Sequence, residues 1–225
     1  MNLPNQLTCA RFVLTAGFVA CMTLAWRHPN EDVAFGGEPF LSWGWGYTAA
    51  LVIFVIAALT DWLDGYLARK YNLMSNFGKL MDPLADKVMV AAAFICLIPE
   101  KAIPAWSAII IISREFMITG LRLLAAGNGV ILPAERLGKH KAGWQMATVI
   151  YFLILLSLYE FERAGIVKGL YWWAHAWTYG GAALIALAVI LTLYSGVGYI
   201  WKNRALVMAE AESKPQPEKA TAGRP

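Results

Sequence analysis

The chain has 225 residues, 59% of them hydrophobic and 15% charged, with a mean hydropathy of +0.52. Soluble domains average roughly 45–50% apolar and about 25% charged residues, so the composition excludes a disordered chain, a disulfide-stapled mini-protein and an ordinary soluble enzyme. The net charge of +4 reads as the basic cytoplasmic ends of a membrane protein, with no nucleic-acid partner.

A spanning helix needs about 20 mostly apolar residues. Six segments meet that need: 7–26, 46–67, 79–98, 104–124, 142–158 and 174–201. The last exceeds the requirement, which predicts tilt or an extension past the bilayer. Strand-like alternation is absent, so the expected fold is an all-α integral membrane protein with six transmembrane helices. A signal peptide fits the first segment poorly, because residues 1–10 hold no Lys or Arg and Arg11 falls inside the apolar run.

The connections are punctuated. Pro29, Gly36, Gly37 and Pro39 mark a loop before the second segment. Residues 99–104 form a tight turn, and Gly127-Asn128-Gly129 stops the fourth helix. Residues 1–204 make one membrane-embedded catalytic unit, and 205–225 read as a polar, disordered tail. Cys9, Cys21 and Cys96 lie in apolar stretches without metal-ligand spacing and read as buried hydrophobes.

Lys and Arg sort the two sides. Arg11, Arg69, Lys70, Lys79, Arg122, Arg136, Lys139, Lys141, Lys202 and Arg204 fall on one side, predicted to be cytoplasmic together with both termini. Arg27, Lys101, Arg163 and Lys168 fall on the other, mixed with Glu100, Glu160 and other acids. Trp43, Trp45, Trp106, Trp172, Trp173 and Trp177 lie near that far side and read as an aromatic belt.

The informative stretch is Asp61-x2-Asp64-Gly65-x2-Ala68-Arg69-x8-Gly78-x3-Asp82-x3-Asp86. Asp61 and Asp64 share a helical face, which Gly65, Ala68 and Arg69 continue. Gly78, Asp82 and Asp86 step by four and share a face of the next helix. A short link makes the two helices antiparallel neighbours, so the acidic faces can meet near the cytoplasmic boundary. Four close carboxylates either shift their pKa values or recruit cations. Hard divalent ions with oxygen ligands suit them, and two ions about 3.5–4 Å apart suit phosphoryl displacement. The small residues admit a ligand, and Arg69 can meet a phosphate. The bland alternative is a salt-bridged interfacial turn.

The motif is similar, at every defined position, to the signature of the CDP-alcohol phosphatidyltransferases. The resemblance implies a six-helix membrane enzyme, a homodimer, that displaces CMP from a CDP-linked lipid by an alcohol. It implies two Mg2+ or Mn2+ ions held by Asp61, Asp64, Asp82 and Asp86. Asp86 is then the base that deprotonates the acceptor, and Asp61, Asp64, Gly65, Ala68, Arg69 and Gly78 hold the CDP moiety. The site faces the cytoplasm from the inner membrane.

The acceptor is read from other charges. Arg114 and Glu115 sit inside the fourth apolar segment, where ionised residues are costly. Arg122 lies two turns further, and Lys139, Lys141 and Gln145 open the fifth helix. Together they suit an acceptor that carries phosphate. Arg114–Glu115 as a structural ion pair, and the lysines as ordinary positive-inside residues, stay open. Residues 2–8 with Arg11, 60–69, 114–116, 119–122 and 137–141 resemble the bacterial branch of the family that uses CDP-diacylglycerol and glycerol 3-phosphate. Ala142 stands where that branch commonly has Thr. Another acceptor (inositol phosphate, serine or phosphatidylglycerol) and, more distantly, a membrane cation transporter remain alternatives.

Overall fold

The computed structural model describes residues 3–25, 45–71, 87–127, 136–169 and 172–204, with 3–8, 61–71, 124, 126–127, 136–140 and 174 as backbone alone. All regular structure among them is helical. Helix α1 is Leu3–Ala25, α2 is Gly46–Tyr71, α3 is Lys87–Cys96, α4 is Ala105–Gly127 and α5 is Arg136–Arg163. The short α6, Trp173–His175, passes through a π-helical turn, Ala176–Gly180, into α7, Gly181–Lys202.

These elements follow the apolar segments, and several begin or end beyond them. Helix α1 begins four residues before its apolar run, and α5 begins six residues before its own, so Lys139 and Lys141 are helical. The last segment is not one helix. Its extra length goes into α6 and the π-helical turn, where the Ala176 carbonyl accepts both the Gly181 N–H and, at 2.7 Å, the Tyr151 hydroxyl. Residues 205–225 and most of the loop before α2 lie outside the described residues.

Helix α2 packs on α1 and α5, and α7 packs on α4 and α5. The core gathers Phe18, Phe54, Phe94, Leu97, Ile111, Val149, Phe152 and Leu153 from five helices. The α1–α2 hairpin closes tightly: a Cβ on Gly46 would come 2.9 Å from the Cys21 carbonyl, so only glycine fits there. Large apolar side chains also face outward, among them Val13, Leu59, Ile109, Ile190 and Val197. Two stretches, Lys141–Arg163 and Ala176–Lys202, are long and apolar enough to cross a bilayer. An apolar exterior around a core with polar members is the arrangement of a protein solvated by lipid.

One end of the bundle is closed by specific chemistry. Helix α3 stops in a Schellman turn, with Lys101 in the left-handed region (φ 55°), Lys101 N–H on the Ile98 carbonyl and Ala102 N–H on the Leu97 carbonyl. Gly165 does the same after α5, with its N–H on the Glu162 carbonyl and that of Ile166 on Phe161. The N-terminus of α2 is capped from another helix. Glu160 of α5 accepts the backbone N–H of Tyr47 on Oε1 and that of Thr48 on Oε2, both at 2.8 Å, and the Thr48 hydroxyl at 2.7 Å. A carboxylate there satisfies orphan N–H groups and complements the helix dipole.

Four assignments change in place or role. Glu160, grouped with the far-side acids that set orientation, is 8% exposed and is this cap. Arg11, grouped with the charges that set orientation, is 2% exposed and packed among the helices. Cys9 is exposed, whereas Cys21 is buried. Trp173 and Trp177 are packed inward more than a belt requires: Trp173 Nε1 donates to the Leu155 carbonyl at 3.0 Å, and the two indoles stack at 5.0 Å.

Removing the cap has a measurable cost. Glu160→Ala strips three hydrogen bonds to a carboxylate and should lower unfolding free energy by on the order of 3 kcal/mol. Thermal unfolding in detergent should place Glu160→Gln, which keeps one acceptor oxygen, between it and the parent. Glu100, in the α3–α4 turn, is half-buried and accepts the Tyr47 hydroxyl at 2.8 Å. Burial lifts its pKa above the ordinary glutamate range, and the Tyr47 hydrogen bond offsets part of the rise. Its ionisation therefore costs stability as pH rises through the raised value. Glu100→Gln should raise the unfolding temperature at pH 7–8, the gain disappearing below the ordinary glutamate value of about 4.3. A gain of equal size at every pH would refute this.

Candidate active site

The acidic motif ends α2. Asp61, Asp64, Gly65, Ala68 and Arg69 all fall in its last turns, where a spacing of three and four keeps them on one face of the helix. Their side chains, and all of Gly78, Asp82 and Asp86, lie outside the described residues. Among the described residues no three His, Cys, Asp or Glu side chains gather. The donor chemistry of the motif, carboxylates beside glycine and alanine, fits a hard divalent cation.

The Glu160 clamp sets what stands opposite the motif. Helices α2 and α5 meet with Tyr47 at Glu160. Lys141 precedes Glu160 by nineteen residues, and nineteen residues beyond Tyr47 brings α2 to Tyr66. At a rise of about 1.5 Å per residue, antiparallel helices in that register put Lys141 about level with the Asp64–Ala68 turn.

At that level three helices pool their charges. Lys141 is 3% exposed and forms an ion pair with Glu115 of α4. Glu115 also takes Arg114 Nη1 at 3.2 Å. Lys87 of α3 donates to the Thr119 hydroxyl, which in turn donates to the Glu115 carbonyl at 2.7 Å. Lys87, Glu115 and Gln145 line one side of a cleft whose other walls are apolar, including Phe94, Ile111, Phe116 and Met146. So the structure brings Arg114 and Lys141 together on one carboxylate, with Lys87 on the same cleft.

Arg122 stands on α4 two turns beyond Arg114 and meets α7. Its Nε donates to Tyr199 Oη at 3.2 Å, and its guanidinium lies 5.4 Å from the Tyr199 ring centroid. Arg114 Nη2 donates to Ser195 Oγ at 3.0 Å, and Ser195 donates to the Thr192 carbonyl at 3.2 Å. Gln145 Nε2 donates to Thr192 Oγ1 at 3.2 Å. Lys139 is in the first turn of α5, its side chain outside the described set.

Lys87, Thr192, Ser195 and Tyr199 escaped the reading of the sequence. The signal for Lys87 is its place directly after Asp86. The signal on α7 is a polar stripe at spacings of three and four in an otherwise apolar helix, all of it on the buried face.

A sequence profile of the CDP-alcohol phosphatidyltransferase family matches residues 1–194. The chain is 40% identical over 202 residues to a CDP-diacylglycerol–glycerol-3-phosphate 3-phosphatidyltransferase of Bacillus subtilis (strain 168), covering 90% of this chain and 95% of that one. Proteins of the same name from Treponema pallidum (strain Nichols) and Rickettsia felis (strain ATCC VR-1525 / URRWXCal2) are 36% and 31% identical. The first alignment covers 68% of each chain, and the second 88% of this chain and 93% of its relative. With the intact acidic motif and a match over most of its length, the chain belongs to the CDP-alcohol phosphatidyltransferase family.

Proposed function

We propose that this protein transfers a phosphatidyl group from CDP-diacylglycerol to glycerol 3-phosphate, giving phosphatidylglycerophosphate and CMP. The observation that carries the acceptor is the pairing of Arg114 and Lys141 on the one Glu115 carboxylate, with Lys87 on the cleft that Glu115 also lines, level with the acidic motif. A dianionic acceptor needs such surplus positive charge, and a neutral alcohol does not. The names of the relatives support the same substrates. The working unit is residues 1–204, with six spans, as a homodimer in the inner membrane. The excess of Lys and Arg on the motif side supports a cytoplasmic site.

In this reading Asp61, Asp64, Gly65, Ala68, Arg69 and Gly78 hold the CDP moiety. Asp61, Asp64, Asp82 and Asp86 are the residues that would hold two Mg2+ or Mn2+ ions, which when bound supply charge neutralisation at the pyrophosphate. Arg114, Arg122, Lys139 and Lys141 hold the acceptor phosphate. Asp86 takes the proton of the acceptor hydroxyl. That oxygen attacks the phosphorus on the lipid side, and the bond to the CMP phosphate breaks. Close placement of the two substrates lowers the entropic part of the barrier.

Purified protein should release CMP from CDP-diacylglycerol with glycerol 3-phosphate and far less with inositol phosphate, serine or phosphatidylglycerol. A different preferred acceptor would overturn the assignment, and cation flux without CMP release would favour a transporter. Asp86→Asn should insert normally and lose CMP release, and near-normal turnover would refute its role as base.

Glu115→Gln tests the pocket. It removes the carboxylate between two buried cations and should destabilise the protein by about 3–5 kcal/mol. A bound acceptor phosphate replaces that negative charge. Glycerol 3-phosphate should therefore raise the unfolding temperature of Glu115→Gln more than that of the parent, and an equal rise in both would count against the pocket.

A further inference from the structure

We infer that Tyr199 and Ser195 of α7 are positioning residues, which hold Arg122 and Arg114 in the orientation that grips the acceptor phosphate. The inference rests on the acceptor reading above and adds a helix that the reading does not use.

Arginine brings several rotatable bonds to a phosphate, and freezing them on binding costs entropy. A site that has already fixed the guanidinium binds more tightly, because that cost is met during folding. Helix α7 supplies such fixation twice. Tyr199, 2% exposed, accepts Arg122 Nε and lays its ring against the same guanidinium. Among the described residues Arg122 Nη1 and Nη2 make no hydrogen bond, so the fork opposite Tyr199 is the part available to an anion. One turn earlier, Ser195 accepts Arg114 Nη2 and is itself fixed by the Thr192 carbonyl.

The two arginines dock on one stretch of α7. Arg114 and Arg122 are eight residues apart, about 12 Å along α4, whereas Ser195 and Tyr199 are four apart, about 6 Å along α7. Arginines that leave α4 two turns apart thus dock on α7 residues one turn apart. Gly196 makes room for this. A Cβ there would stand 3.1 Å from Arg114 Cγ, close enough to push the arginine by a few tenths of an ångström.

A simple structural role, gluing α4 to α7, would weaken both substrates alike through lost stability. Positioning would not. In purified protein Tyr199→Phe, which keeps the ring and loses the hydroxyl, should raise the KM for glycerol 3-phosphate about five- to tenfold. The KM for CDP-diacylglycerol and kcat should stay within about twofold. Added to Arg122→Ala, Tyr199→Phe should raise the acceptor KM no further. Equal changes in both KM values, no change in either, or additivity with Arg122→Ala would overturn the inference. Arg122→Ala alone separates the two levels. If it leaves the acceptor KM untouched, the acceptor reading falls and the positioning role with it. If it raises that KM while Tyr199→Phe does not, only the positioning role falls. Should Tyr199→Phe unfold, Ser195→Ala provides the same split through Arg114.

Discussion

The bundle depends on one carboxylate reaching across it. Helix α2 enters the core with its first N–H groups facing Glu160 of α5, which binds Tyr47 and Thr48. In a medium without water those donors have no cheap alternative, so the contact tolerates little slippage along the helix axes. Fixing that end fixes the other. Two rigid helices in a set register put the residues following Gly65 opposite Lys141. A clamp at the end away from the motif thereby sets the distance between acidic and basic chemistry.

The same demand for satisfaction explains the interior. The buried polar residues include Ser157, Thr148, Gln145, Thr192 and Ser195, and each has a partner. Several of those partners lie on another helix. Polar contacts between helices matter in lipid because burying apolar surface alone gives no preference for protein over lipid neighbours. The contacts that hold α4, α5 and α7 together are largely the ones that orient Arg114, Arg122 and Gln145. In the proposed acceptor site, stability and recognition would draw on one set of hydrogen bonds.

A transferase joining a lipid to a soluble, charged acceptor needs one site reachable from both media. The cleft beside Glu115 has that mixed character, with Lys87, Glu115 and Gln145 on one side and apolar walls on the other. Glu115 offsets part of the positive charge there and stands between Arg114 and Lys141. In the proposed reading, an incoming phosphate meets cations already held in place, which lowers the entropic cost of binding.

Much was legible in the sequence. Apolar run length gave the helices, because lipid leaves the backbone few other choices. The spacing Asp61-x2-Asp64, continued to Asp86, gave the family, and helical geometry places Asp61 and Asp64 on a shared face of α2. The charges buried in α4 marked Arg114, Glu115 and Arg122 as costly and hence purposeful. Tertiary structure alone decided the partners. That Glu160 caps α2, that Arg11 lies inside the bundle, and that Ser195 and Tyr199 receive the two arginines all depend on contacts between residues far apart in the chain. A local pattern fixes which face a side chain shares, whereas the group waiting opposite is set by how the helices pack.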